Sequence, residues 1–142
     1  MNSKQAEYYQ RALDLLGIDP DKVKLVDPGE YRRLTGEYTG STRGLYLGVT
    51  ARKHKVMWIH PGAPYSTYVH ELLHIVFPRA EHEWIMWVSS LLIGEDVKVP
   101  RDAPKGYRPR GVGPFWPSRG LEASRENFLE MVRAEVVRKG LG

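Results

Sequence analysis

His70-Glu71-Leu72-Leu73-His74 sets two imidazoles four positions apart, with a carboxylate directly after the first. On a helix that spacing puts both imidazoles on one face, where they can converge on one metal ion. Glu71 projects beside them, where a carboxylate can polarise and deprotonate a metal-bound water. The chain contains no cysteine, which excludes disulfides, a thiol nucleophile and a thiolate metal site. Any metal is therefore held by nitrogen and oxygen, and Zn2+ suits that donor set.

A catalytic zinc takes three protein ligands and keeps a fourth position for water. His70 and His74 supply two. If the chain reverses around Pro78-Arg79, His74 lies about one helical turn before the reversal. The mirror position on a returning helix is then near residue 83. Glu83 is the first choice of third metal ligand on this geometry, with Glu81 or His82 as alternatives within the same turn.

The elements that must position these groups can be read along the chain. Residues 3 to 16 form a helical pattern through Ala6, Tyr9, Leu13 and Leu16, closed by Gly17. Val23 to Val26 is a short strand candidate between the punctuation of Asp19-Pro20 and Asp27-Pro28-Gly29. Tyr31 to Thr42 is polar and reads as loop, with room for a helical turn. Leu45, Leu47 and Val49 alternate with Tyr46 and Gly48, and Lys55 to His60 is rich in strand formers. Their short polar connection predicts an antiparallel hairpin. The motif helix is expected from a Ser66 N-cap to Phe77, where Pro78 stops it. A second helix is expected from Glu81 to Ile93, with Trp84 and Trp87 on an apolar face that reads as core. A last helix, Leu121 to Lys139, carries Phe128, Leu129, Val132 and Val136 on one face.

The fold class that follows is α+β. A small antiparallel sheet packs on the motif helix and a second helix, with N- and C-terminal helices and a long Pro/Gly/Arg-rich loop. The 142 residues suit a single domain. Residues 95 to 120 break from the rest, as an irregular basic loop or tether. Formal charge is +4, and the segment from Lys98 to Arg119 concentrates basic residues against the single acid Asp102. Arg108, Arg110 and Trp116 there are the candidate contacts for a nucleic acid or a nucleic-acid-associated protein. The polar start, Met1-Asn2-Ser3-Lys4-Gln5, lacks a signal-peptide core, and no apolar run approaches membrane-spanning length. A cytoplasmic protein with no membrane association is expected.

The segment from Ile59 to about Leu92 resembles the zincin metallopeptidases, most of all the gluzincin branch and its small minigluzincin-like members. The matching features are a strand ending at His60, the His70-Glu71-Leu72-Leu73-His74 helix, a turn, and a second helix bearing acidic residues. The resemblance implies zinc on His70, His74 and Glu83, with Glu71 as the general base. It also implies an edge strand that holds an extended peptide substrate, which would be Lys55 to Ile59. The interval from His74 to Glu83 is shorter than in most gluzincins. Phe77 and Ala80 stand where the metzincin pattern has its glycine and third histidine. An oxyanion-stabilising donor would come from Tyr65, Tyr68, His60 or Tyr107.

The expected function is a zinc-dependent peptidase acting on peptide or protein substrates through a metal-activated water. The alternative is a non-catalytic binding or regulatory protein on a zincin-like scaffold, docking on a nucleic-acid-associated complex through its basic loop.

Overall fold

Asn2 and Gln5 begin the first helix by capping each other: the Gln5 backbone N–H donates to the Asn2 side chain at 2.9 Å, and the Asn2 N–H donates to the Gln5 side chain at 3.0 Å. This reciprocal pair satisfies two orphan donors at once. The helix, α1 (Ser3–Leu16), ends at Gly17, whose φ of 70° is left-handed and suits a residue without Cβ. It buries Ala12, Leu13 and Leu16, whereas Ala6 is exposed. The computed structural model describes residues 2–36, 48–51, 55–94 and 125–142.

After a short 3-10 turn, β1 (Lys24–Leu25) leads into α2 (Pro28–Thr35). Asp27 caps α2 by accepting the Glu30 N–H at 2.8 Å, and Pro28 needs no N–H at the first helical position. The loop expected from Tyr31 is therefore helix as far as Thr35, because this cap overrides a polar and weakly periodic sequence.

Strand β2 (Gly48–Ala51) pairs antiparallel with β3 (Val56–Ile59), with Val49 opposite Trp58. On its other side β3 pairs parallel with β1, Leu25 opposite Met57. The sheet is thus mixed, in the order β1-β3-β2, rather than the antiparallel sheet expected. A parallel pair needs a long crossover, and the stretch between β1 and β3, which includes α2, supplies it. The strand assigned by resemblance to the sheet edge, Lys55 to Ile59, is the central one. Among the described residues the outer strands are β1 and β2.

All four residues of β3 are buried, since both faces of the sheet are covered. Side chains alternate across a strand. Val56 and Trp58 accordingly join Tyr31 of α2 and Ala51, while Met57 and Ile59 join the main core. That core is built around α3 (Tyr65–Val76), which packs on α1, on β2 and on α4 (His82–Ile93). Trp84 and Trp87 lie in it, as expected, edge-on to Phe77 and Phe128 respectively. Helix α5 (Arg125–Arg138) closes the core with Phe128, Val132 and Val136. Lys139 donates to the Val76 carbonyl, tying the end of α5 to the end of α3. Among the described residues no helix is long and apolar enough to cross a membrane.

Candidate metal centre

Helix α3 starts at Tyr65 with Pro64 as its N-cap, two residues ahead of the Ser66 N-cap expected from sequence. Eight of its twelve residues are buried, Glu71 and His74 among them, as fits a helix packed against several other elements. His70 and His74 share one face at four-residue spacing, and their Nε2 atoms lie 3.0 Å apart.

The chain then reverses. The Phe77 N–H closes the last turn onto the Leu73 carbonyl at 2.8 Å, Pro78 prevents continuation, and the Ala80 N–H donates to Phe77 O at 3.1 Å. Ala80 is buried and Glu81 is the N-cap of α4, so the returning helix begins at His82. His82 is the residue that faces back. Its ring centroid is 4.7 Å from that of His70 and 5.5 Å from that of His74, stacked on the latter at 17°.

Among the described residues, one group of metal-ligating side chains comes together: His70, His74 and His82, with one nitrogen from each within 4.8 Å of the others. Glu83 and Glu81, the carboxylate candidates for the third position, are not in it. Glu83 follows His82 and is therefore turned by about 100° around the helix, and it is exposed. Glu81, His82 and Glu83 all lie within the one helical turn where a third ligand was expected. The five-residue reversal selects the histidine inside that turn.

These residues fit a zinc ion. Three nitrogens bound to one tetrahedral zinc at 2.0–2.1 Å are separated by about 3.3 Å. The spacing of the His70 and His74 nitrogens is already close to this value. The cluster is graded in exposure, with His74 buried, His70 half-buried and His82 exposed, so it is open on the α4 side. Burial pushes the His70 imidazole down to about 4, and the neighbouring His82 adds to the shift. At neutral pH His70 is therefore uncharged, the form in which imidazole ligates a metal.

Glu71 is 6 % exposed, and its position is set by β2. The Thr50 hydroxyl donates to a Glu71 carboxylate oxygen and lies 3.4 Å from the Glu71 carbonyl oxygen. Gly48 makes this approach possible: a Cβ there would stand 3.1 Å from Glu71 Cγ and 3.3 Å from Thr67 Cγ2. Thr50 and Gly48 were missed in the sequence reading. A glycine inside an apolar strand is the signal that was available, because it marks a close approach by another element.

The tyrosine and histidine candidates for oxyanion stabilisation are dispersed. Tyr68 is buried against Tyr8. Tyr65 lines a cavity with Arg11 and Arg125. His60 accepts the Gly62 N–H at 2.9 Å through Nδ1. Tyr107, Arg108, Arg110, Trp116 and the whole segment 98–119 lie outside the described residues. Compared with protein families, with curated proteins and with solved structures, the chain has no match in any of the three.

Proposed function

We propose that the chain is a zinc-dependent peptidase whose metal ligands are His70, His74 and His82 and whose general base is Glu71. The observation that carries this reading is the meeting of three imidazoles from two helices, with a buried carboxylate directly after the first. Three uncharged ligands leave the ion its full charge, and a zinc ion so held supplies Lewis acidity toward a carbonyl and toward water.

The protein's own groups supply the rest. The Glu71 carboxylate takes a proton from the attacking water and passes it to the leaving amine, so that the carboxylate is regenerated. Thr50 holds that carboxylate by one hydrogen bond and limits its rotation. Strand β2 carries Thr50 and is an outer strand among the described residues, which makes it the strand along which an extended peptide would lie.

The test pairs metal content with hydrolysis. The wild-type protein should bind one zinc per chain and cleave peptides. Glu71→Gln should keep the zinc and lose cleavage by about 10²-fold or more. Full cleavage by Glu71→Gln, or undiminished zinc in His70→Ala, would remove the reading. A protein that keeps its zinc and cleaves nothing would instead support the non-catalytic binding protein.

A further inference from the structure

Residues of α1, α4 and α5, with Tyr65 of α3, line an open concavity of about 420 Å³ that includes none of the three histidines. Three guanidinium groups line it: Arg11 from α1, and Arg125 and Arg133 from α5. Its one acid, Asp14, accepts a hydrogen bond from Gln10 Nε2 at 2.8 Å. Among the described residues none of the three arginines is in a salt bridge. Three cations against one carboxylate leave the lining with a net positive charge.

The arginines are also held in place. Arg11 lies over the Tyr65 ring with its guanidinium carbon 4.4 Å from the centroid. Arg125 Nε donates to the Leu92 carbonyl at 2.6 Å, and Arg133 Nε donates to the Leu15 carbonyl at 2.9 Å. Each of the latter two uses its Nε–H on backbone and keeps its terminal N–H groups for another acceptor. Planar donors fixed in this way match the oxygens of a phosphate in bidentate fashion, which freely rotating surface lysines do not. Burial raises the Tyr65 pKa; Arg11 and Arg125 oppose that shift and Asp14 adds to it, so all three charged groups act on the same wall. Leu15, Leu92 and Ile93 complete the wall with apolar surface.

We infer that the cavity formed by Arg11, Arg125 and Arg133 is a binding site for a small phosphate-bearing anion. The shared chemistry is the phosphate group, free or attached to an organic body that the apolar wall would cover. The site is separate from the histidine group, and nothing in the inference depends on the peptidase reading.

The test is calorimetric titration of the purified chain with inorganic phosphate, pyrophosphate and ADP at matched ionic strength. At least one should bind. Arg11→Gln, whose side chain makes no backbone hydrogen bond that could endanger folding, should weaken the dissociation constant roughly tenfold, the equivalent of one charge-assisted contact. Arg125→Gln combined with Arg133→Gln should weaken it further. Binding of the inorganic anions identifies a free anion as the ligand, and binding of ADP alone identifies an organic phosphate. Binding should persist in His70→Ala that retains a native circular dichroism spectrum. The inference is overturned if no anion binds beyond the chloride control, if Arg11→Gln binds as wild type, or if folded His70→Ala loses binding, which would place the anion at the histidines.

Discussion

Between His82 and Glu83 the difference is one position and about 100° of helix rotation, yet it decides the charge of the candidate metal site. With a carboxylate as third ligand a zinc centre would carry a net single positive charge. With three imidazoles it keeps two, which strengthens its pull on a carbonyl oxygen. His82→Ala should therefore weaken zinc binding by about 10²-fold or more, whereas Glu83→Ala, altering an exposed side chain outside the cluster, should leave it within a factor of two or so. Competition with a chromophoric chelator measures both, and the opposite ranking would return the third position to Glu83. The convergence of His70 and His74 was legible in the sequence because their relation is local: one turn of helix fixes it. The third member of the cluster stayed one of three candidates, because its position depends on how many residues the chain spends reversing after Pro78. That number is set by Ala80 packing into the core, which no periodicity reports.

Helix α3 and strand β2 meet at Gly48, and the absence of a side chain there sets where Glu71 sits. Gly48→Ala would press a methyl against Glu71 Cγ and Thr67 Cγ2, and behind it stands the Trp58 carbonyl, also 3.3 Å away. The strand cannot retreat without breaking its pairing to β3, so the motif helix or the Glu71 side chain must give. The expected result is a fall of about tenfold in the rate of peptide cleavage, with zinc affinity unchanged because the histidines face α4 instead. Urea unfolding should show a loss of roughly 1–3 kcal/mol from overpacking. Unchanged turnover in Gly48→Ala would mean that the contact between Glu71 and β2 serves packing alone. Helices α1 and α4 were legible because apolar spacing and a closing glycine are local chemistry: Gly17, at a φ of 70°, ends α1 and Gly94, at a φ of 79°, ends α4. The sheet order was not. Strand β1 is two residues long, too short for any alternation to register, and its parallel partner lies some thirty positions further along the chain.

The histidine cluster couples two helices whose positions are otherwise set by the whole core, so occupancy of the site should be felt as global stability. Helix α3 is held at its C-terminal end by α5, where Lys139 meets the Val76 carbonyl and stands 5.6 Å from the Phe77 ring centroid. Helix α4 is held by the edge-on contact of Trp87 with Phe128, also of α5. A metal held by His70, His74 and His82 would tie α3 directly to α4 and add a third link to this three-helix arrangement. An ion that binds only the folded chain stabilises it by RT ln(1 + [L]/Kd), about 2.7 kcal/mol when free zinc stands at a hundred times its dissociation constant. Phe128→Ala, which empties a fully packed site between α4 and α5, should cost about 3–5 kcal/mol and leave the three histidines in place. Zinc should then restore a similar increment to Phe128→Ala as it adds to the wild type, provided enough variant remains folded to bind. His82→Ala should gain almost none, although its metal-free stability should be near that of wild type because the side chain is exposed. Denaturant unfolding of the three proteins with and without zinc separates these cases. A zinc increment that survives in His82→Ala would show that the stabilising ion sits somewhere other than between α3 and α4.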